Sequence, residues 1–545
     1  MFFYGGVVLN YRAIGSKICA FAAAIPEHLC ELFFLFILSI AIRHENIWGS
    51  LVTYGTAILC YFLFSLFLNR KQSFVLTFLV AVGISLSSCI KTELLGIPLQ
   101  LYDFQMVLQL LNVDGLSDIS QFWEIHEAQL TFLYSSITLV VYSLLFWKKQ
   151  PVQKFYAWML ILPFLGVGTI IFAMKNVEPD IYNQMDNLKR HGAFGILYSQ
   201  LYKAASMTPE GYSASIQKSF PVNSSSKERP DTLPNIVLVL LESTIDPSRL
   251  TDIKVEPYPT PFLEELKKKS LYGRLSVPGG TANAEYEVLT SLPLKSLPTT
   301  RVPFMEINRH TYSLPSFLSE MGYQSFAYHM GTQKFYNRNV VFKEMGIEKY
   351  YTRENYPDKT ICVKRFYHDS TMFSSIFSKL KKSMNPIFAH ALTLIPHHPY
   401  DEKHAKFAFN VNSKNSDAEN KRLANYFSRL RYTQNDLAAF IKQVNTLPRR
   451  TLVLMYSDHL PPLSSMRKEK GSLFYLLYDS KGQLPTGKNS DLATYELATM
   501  LLKKSFFPLR GIDSIVSDEH NADKLELIHF DMLYGEQYLS KLFTN

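Results

Sequence analysis

Hydrophobic and polar positions divide the chain into an apolar N-terminal third and a mixed remainder. A helix needs about 20 mostly apolar residues to cross a bilayer core, and five stretches come near this length. With ends uncertain by several residues, they are Leu29–Ile42, Leu51–Leu68, Ser73–Ile90, Leu130–Trp147 and Phe155–Met174. We predict an N-terminal α-helical transmembrane bundle of about five helices over residues 1–175. The alternative is that some of these stretches are buried helices of a soluble protein.

The charges between these stretches predict an orientation. Basic turns stay on the cytoplasmic side of a membrane. The turn after the second stretch holds Arg70 and Lys71, whereas the long third loop is acidic. Other charges of this pattern are Lys148, Lys149 and Lys154 after the fourth stretch and Asp103, Asp114, Asp118, Glu124 and Glu127 in the third loop. We therefore expect a multi-pass protein of the cell (inner) membrane, with everything after residue 175 extracytoplasmic or periplasmic.

The rest of the chain begins with a connecting segment and continues as an α/β pattern. Residues 176–233 predict a juxtamembrane helix followed by a linker rich in Pro, Gly and Ser, which gives the next domain some reach. From residue 234, buried strands alternate with helical patterns, which is typical of an α/β fold with a mostly parallel sheet. The predicted strands are Asn235–Leu241, Tyr323–His329, Ile387–Leu394, Thr451–Tyr456 and Leu473–Tyr478. We expect this domain over residues 234–510 and a tail that packs on it over 511–545.

Composition narrows the classes of partner. The formal net charge of +9 suits nucleic acid or an anionic membrane surface. The long apolar runs favour the membrane, and without a tract rich in Lys and Arg we expect no nucleic acid partner. Cysteine is scarce: Cys362 is the only one after residue 89, which excludes an internal disulfide and a CxxC zinc module in the soluble domain.

Polar side chains follow two of the predicted strands. Glu242 comes directly after the first strand, and Asp458 and His459 follow Ser457 at the end of another. Ligands of α/β folds sit beyond the C-terminal ends of the strands, and acidic oxygen with imidazole suits Mn²⁺, Zn²⁺ or Mg²⁺. Each motif alone is weak, because Asp-His pairs are usually surface or cap residues.

A third motif supplies a candidate nucleophile. Thr281 follows two glycines and precedes a helix-compatible run that contains Glu285 and Tyr286. Free N–H groups at a helix N-terminus can hold a phosphate. A threonine hydroxyl attacks only when its pKa is lowered, which metal coordination achieves. The alternative is that Thr281 is a simple N-cap.

Together these motifs resemble one family. Their order is strand–Glu, then Gly-Gly-Thr-x-x-x-Glu-Tyr, then Ser-Asp-His. It is similar to the lipoteichoic acid synthase and phosphoglycerol transferase branch of the sulfatase-like proteins in the alkaline phosphatase superfamily. The resemblance runs from Asn235 to about Phe507. It implies an α/β alkaline-phosphatase-like (sulfatase-like) catalytic domain with Thr281 as nucleophile. It also implies one divalent metal, with Mn²⁺ as the first choice and Zn²⁺ and Mg²⁺ as alternatives, held by Glu242, Thr281, Asp458 and His459.

Two further segments match the family's substrate-binding blocks. The stretch from His329 through Tyr336 to Arg338 resembles the block that contacts a phosphoglycerol head group, with Tyr336 where a Trp is often found. The pattern His-x-Pro assigns His397 to the site, although the adjacent His398 leaves that assignment open.

The resemblance implies transfer of glycerophosphate from phosphatidylglycerol to a cell-envelope glycan or a polyglycerolphosphate chain. Two alternatives are a phosphoethanolamine transferase and a non-catalytic relative that binds lipid or a partner. The lone Cys362 argues against the first, because those enzymes usually carry several disulfides in this domain. The four intact residues Glu242, Thr281, Asp458 and His459 argue against the second. The sequence leaves the oligomeric state open.

Overall fold

The computed structural model describes most of the chain, with gaps. The described residues are 27–41, 46–95, 98–101, 103, 133–138, 161–177, 184–205, 208–220, 232–297, 302–356, 361–363, 366–400, 407–466, 468–505, 507–516 and 521–543. Most of the predicted fourth span, Leu130–Trp147, lies outside them. So do the start of the fifth span, the basic residues 148–154 and the acidic residues 114–127.

The described residues of the N-terminal region are mostly helical. Its helices are α1 (Glu27–Ala41), α2 (Ile47–Ser65), α3 (Arg70–Leu95), α4 (Ile161–Met174) and α5 (Gln184–Ala205), and α5 is interrupted at Gly192. Within the described residues, Ile47–Ser65 and Arg70–Thr92 are long and apolar enough to cross a membrane. The apolar parts of α1 and α4, Glu31–Ile40 and Ile161–Met174, are shorter than a span. The two candidate spans among the described residues support a membrane protein, and the prediction of about five helices is not confirmed.

A buried ion pair joins α1 to α3. Arg70 Nε lies 2.7 Å from Glu31 Oε1, and Tyr61 donates a hydrogen bond of 2.6 Å to Glu31 Oε2. Charges in an apolar bundle are tolerated when they are paired in this way. Arg70 is one of the basic residues from which we predict the orientation of the chain in the membrane. Because Arg70 is buried in this ion pair, it supports that prediction less than an exposed basic residue would.

A large sheet forms the centre of the second half of the chain. Its strands are β1 (Asn235–Leu241), β3 (Ser270–Ser276), β4 (Gln324–His329), β5 (Lys349–Thr352), β8 (Ile387–Leu392), β10 (Thr451–Ser457), β11 (Phe474–Asp479), β12 (Gly487–Lys488) and β13 (Leu492–Ala493). Their order in the sheet is β12-β3-β11-β10-β1-β8-β4-β5, and β13 also pairs with β3. The five strands from β10 to β5 are mutually parallel, and β11 is antiparallel to both its neighbours. Outside this sheet, β2 (Ile253–Glu256) pairs with β9 (Asn410–Ser413), and β6 (Ile361–Val363) pairs with β7 (Phe366–Tyr367).

Helices cover both faces of this sheet because its central strands are apolar on both sides. Along β1, Leu238 and its alternate neighbours face one hydrophobic core, and Val237 and Val239 face the other. The helices are α6 (Pro261–Lys267), α7 (Thr281–Thr290), α8 (Leu314–Glu320), α9 (Arg338–Glu344), α10 (Asp369–Lys382), α11 (Asp417–Val444), α12 (Leu497–Lys504), α13 (Gly511–Val516) and α14 (Ala522–Leu533). The predicted α/β fold with a mostly parallel sheet is therefore confirmed.

The first half of the predicted linker is packed on this domain. Residues 214–219 form a 3₁₀ turn, and Ile216 and Phe220 are buried in the same core as Leu238. The C-terminal segment joins this core through Ile528 and Leu542. The segments that precede and follow the domain in sequence therefore pack in the same hydrophobic core.

We expect Leu238→Ala to lower the free energy of unfolding by about 2–5 kcal/mol, because it leaves a cavity in a fully buried strand. Chemical denaturation of the detergent-solubilised chain measures this. The control is Met384→Ala at a side chain that is 89% exposed, with an expected change below about 0.5 kcal/mol. Equal losses in the two variants would contradict the assigned core.

Candidate active site

The register of two parallel strands brings two carboxylates together. Leu241 at the end of β1 pairs with Ser457 at the end of β10, so Glu242 and Asp458 are the next residue on each strand. Neighbouring strands lie about 4.8 Å apart, which places the two side chains side by side at the carboxyl edge of the sheet. Both are buried.

Thr281 and His459 complete a group of four. The Thr281 hydroxyl lies 3.0 Å from Asp458 Oδ2, 3.4 Å from Glu242 Oε2 and 3.3 Å from His459 Nε2. His459 Nε2 is 3.2 Å from Asp458 Oδ2 and 3.5 Å from Glu242 Oε1. The four residues predicted as metal ligands therefore lie around one point.

The local backbone explains how Thr281 reaches this point. Thr281 is the first residue of α7, and Gly279 and Gly280 before it have φ of 77° and 79°. Residues with a side chain rarely adopt such angles. The two glycines therefore let the chain turn sharply from β3 into α7, so that the helix starts at the edge of the sheet.

His459 is held in one tautomer. Its Nδ1 lies 2.9 Å from the carbonyl oxygen of Leu460, and a carbonyl can only accept, so Nδ1 carries a proton. In the neutral ring Nε2 then presents its lone pair to Asp458 and Glu242. Histidines that bind metals are oriented by this kind of backbone hydrogen bond on the other nitrogen.

The electrostatics of the group favour a bound cation. Burial, together with the Glu242 carboxylate, raises the pKa of Asp458 to about 7. Burial opposes the charged form of His459, but the two carboxylates outweigh it and raise the pKa of the imidazole. Glu242, Asp458 and His459 each offer a ligand atom, and these atoms lie within 4.8 Å of one another. Two buried carboxylates, an imidazole lone pair and a hydroxyl fit a divalent metal.

His329 and Tyr336 come from the carboxyl end of β4 and the turn after it. His329 Nδ1 contacts the carbonyl oxygen of Leu392 at 3.3 Å. Burial and nearby Arg338 lower the pKa of His329 to about 3, so the ring is neutral at ordinary pH. Burial raises the pKa of Tyr336 to about 12, although Arg338 opposes this shift. Tyr336 has a positive φ of 57°, and its ring faces the Arg338 guanidinium at 5.3 Å.

Arg338 lies in a buried ion pair. Its Nη2 is 2.5 Å and its Nε 3.0 Å from Glu285 Oε2, and Glu285 also meets His390 Nε2 at 3.3 Å. Burial disfavours the Glu285 carboxylate, but Arg338 and His390 outweigh it and lower its pKa. The predicted role of Arg338 was to meet a phosphodiester. The structure adds that Arg338 ties α9 to Glu285, one turn after Thr281 on α7.

His397 lies in the loop after β8. Its Nδ1 is 2.7 Å from the carbonyl oxygen of His398, and Arg429 donates a hydrogen bond of 2.6 Å to the His397 carbonyl oxygen. The ring of His398 stacks on that of His397. His397 is close enough to His329 for its charge to help lower the pKa of that ring.

Sequence reasoning missed Ser243 and Thr393, which hold Glu242 and Asp458 in place, and the pairing of Glu285 with Arg338. Ser243 donates from its backbone N to Asp458 Oδ1 at 2.9 Å and from its hydroxyl to Glu242 Oε1 at 2.7 Å. The Glu242 amide donates to Thr393 Oγ1 at 2.9 Å. Glu285 belongs to the motif Gly-Gly-Thr-x-x-x-Glu-Tyr, but the sequence alone assigns it no function. Ser243 could have been noticed because it directly follows a candidate ligand at a strand end.

Comparison with known proteins supports the resemblance. Residues 234–496 match the Sulfatase family. A putative cyclic beta-1,2-glucan modification protein of Rhizobium meliloti is 26% identical over 379 residues, 68% of this chain and 57% of that protein. Lipoteichoic acid synthase 1 of Bacillus subtilis is 28% identical over 164 residues, 29% of this chain and 25% of that enzyme. The chain thus matches little more than half of the first relative and a quarter of the second.

Two solved structures share the fold. A phosphoglycerol transferase of Streptococcus pyogenes, in complex with sn-glycerol-1-phosphate, has a TM-score of 0.51 at 21% identity, over 63% of this chain and 94% of that one. The integral membrane lipooligosaccharide phosphoethanolamine transferase A of Neisseria meningitidis has a TM-score of 0.50 at 12% identity, over 91% and 92%. Residues 234–496 therefore match the Sulfatase family, and the chain shares its fold with these two transferases, as the motifs predict.

We expect the purified protein to carry a divalent cation that Asp458→Asn removes, because that change takes a charge from the shared group. Elemental analysis by mass spectrometry after metal exchange measures it. The control is Asp491→Asn at an exposed carboxylate that accepts a bond from the Arg274 amide, and it should keep the ion. Equal metal content in both variants would contradict the assigned ligands.

We expect Glu285→Gln to lower the free energy of unfolding by about 3–5 kcal/mol, because it leaves the buried Arg338 charge without its partner. Adding Arg338→Met should restore much of that loss. Denaturant titration measures both, and Glu265→Gln, in an exposed pair with Lys268, should have no measurable effect. If Glu285→Gln behaved like Glu265→Gln, the ion pair would not stabilise the fold.

Proposed function

We propose that this chain is a membrane-anchored phosphoglycerol transferase that uses Thr281 as its nucleophile. The observation that carries the proposal is the placement of the Thr281 hydroxyl between Asp458, Glu242 and His459, at 3.0–3.4 Å from each. The donor is an anionic glycerophospholipid, phosphatidylglycerol. The acceptor is a hydroxyl of a cell-envelope glycan or of a polyglycerolphosphate chain.

The reaction has two displacements at phosphorus. In the first, Thr281 Oγ1 forms a bond to the donor phosphorus, the bond from phosphorus to the diacylglycerol oxygen breaks, and glycerophosphate remains on the threonine. Asp458 Oδ2 accepts the hydrogen bond of the Thr281 hydroxyl and is placed to take its proton. In the second, the acceptor oxygen bonds to phosphorus and its proton passes to His397, while the bond to Thr281 breaks and Asp458 returns its proton to the threonine.

Glu242, Thr281, Asp458 and His459 would hold the divalent metal, for which Mn²⁺ is our first choice before Zn²⁺ or Mg²⁺. When bound, it supplies positive charge for the phosphoryl oxygens and lowers the pKa of the nucleophile. Ser243 donates hydrogen bonds to both carboxylates, and Thr393 accepts one from the Glu242 amide. The Leu460 carbonyl keeps the His459 lone pair directed inward.

Residues around the group would recognise the head group. His329, Tyr336 and Arg338 would contact the head group from the carboxyl end of β4 and the turn after it. The Arg338 charge is paired with Glu285, so a phosphodiester would share this guanidinium with that carboxylate. His397 would donate a proton to the leaving diacylglycerol oxygen from Nε2, since its Nδ1 is held by the His398 carbonyl. His398 is the competing candidate for this proton transfer.

Two observations bear on donor and location. The names of the relatives, a glucan modification protein and lipoteichoic acid synthases, support an acceptor in the cell envelope. The candidate spans in α2 and α3 suit a lipid donor, because anchoring in the same membrane raises its local concentration. We place the catalytic domain on the extracytoplasmic or periplasmic side, where it meets no nucleic acid.

A phosphoethanolamine transferase is the second candidate, favoured by the fold shared with the Neisseria meningitidis enzyme over most of both chains. Against it, residues 234–545 contain a single cysteine, Cys362. Comparing phosphatidylglycerol and phosphatidylethanolamine as donors separates the two functions. Turnover of phosphatidylethanolamine alone would overturn our choice of head group.

We expect Thr281→Ala to lower transfer by about 10³-fold or more, because no other residue replaces the nucleophile. Release of labelled diacylglycerol from phosphatidylglycerol measures it. The control is Thr251→Ala at an exposed threonine that bonds to Glu469, away from the site, and it should keep full turnover. Turnover that survives in a folded Thr281→Ala protein would contradict the mechanism.

A further inference from the structure

The predicted linker contains a segment that is built into the catalytic domain. We call residues 208–220 the juxtamembrane arm. Tyr212 donates a hydrogen bond of 2.7 Å from its hydroxyl to Asp531 Oδ1 and accepts one of 2.6 Å from the Glu536 amide. The Asp531 carboxylate also accepts the amides of Tyr538 and Leu539 at 2.9 and 2.8 Å. One buried carboxylate thus holds both the arm and the C-terminal turn.

Apolar contacts also hold the arm against the catalytic domain. Ile216 and Phe220 are each only 4% exposed, although their neighbours Gln217 and Lys218 face solvent. The Tyr212 ring meets Phe530 edge to face at 4.7 Å. A Cβ at Gly535 would overlap the Tyr212 hydroxyl, so this glycine leaves the space that the tyrosine fills.

The arm connects the membrane helices to the helix of the nucleophile. On one side, only residues 206 and 207 separate it from α5, which packs against α2 and α3. On the other side, α14 carries Asp531 and also His529, whose ring stacks on Tyr286 at 5.9 Å. Tyr286 belongs to α7, the helix that begins with Thr281.

We propose that the juxtamembrane arm is fixed to the catalytic domain and thereby orients the Thr281 site towards the bilayer, with Tyr212 and Asp531 as its positioning residues. A free tether would let the domain sample many orientations, whereas an arm anchored in the core allows few. The expected benefit is access to a donor that is embedded in a membrane. This role rests on the proposed function, but the docking itself does not.

Two variants and a matched control test the docking. Tyr212→Phe removes the hydroxyl, and Gly535→Ala fills its space while keeping the tyrosine. Tyr258→Phe also removes a bond from a tyrosine to a carboxylate, that of Glu264, but away from the arm. In the full chain reconstituted in phosphatidylcholine vesicles, we expect trypsin to cut after Lys218 about fivefold faster or more in the first two variants only. Unchanged protection of Lys218 in both would overturn the docking.

Two donors test the positioning role. One is dioleoyl phosphatidylglycerol in the same vesicles, and the other is water-soluble dihexanoyl phosphatidylglycerol. We expect Tyr212→Phe and Gly535→Ala to lower turnover of the embedded donor about tenfold and to leave that of the soluble donor unchanged. Equal effects on both donors would overturn the role. If the wild-type chain used neither donor, the proposed function would fail, and the proteolysis would still decide whether the arm is docked.

Discussion

The structure depends on two like-charged side chains that the fold forces together. Glu242 and Asp458 end neighbouring parallel strands in the same register, so neither can move away from the other without breaking the centre of the sheet. Burial, together with repulsion from the Glu242 carboxylate, raises the pKa of Asp458 to about 7. A cation between them would relieve this repulsion, so the strand pairing itself favours a metal site here. Thr281 and His459 then complete the group from a helix start and a strand end.

The sequence predicts this group well because each member lies at the end of a regular element. Apolar runs identify β1 and β10, and the residues after them must lie at one edge of a parallel sheet. The pair of glycines before Thr281 similarly predicts the sharp entry into α7. β3 was not predicted, because Gly273 and Arg274 interrupt its apolar pattern.

The remaining features depend on contacts that are distant in sequence. Arg338 and Glu285 are both polar, and nothing local indicates that they pair in the core. Ile216 and Phe220 are isolated among polar residues, so the segment that contains them has the composition of a linker although it is packed on the domain. The ends of the membrane helices are also poorly defined by hydropathy, since paired charges such as Glu31 and Arg70 lie inside the bundle.

In the proposed mechanism, Thr281 carries the transferred group between donor and acceptor. Peptide mass spectrometry of the purified protein, after incubation with headgroup-labelled phosphatidylglycerol in the absence of an acceptor, tests this step. We expect a glycerophosphoryl group on Thr281 that disappears when an acceptor glycan is added. A label on another residue, or diacylglycerol release with Thr281 unmodified throughout, would contradict it.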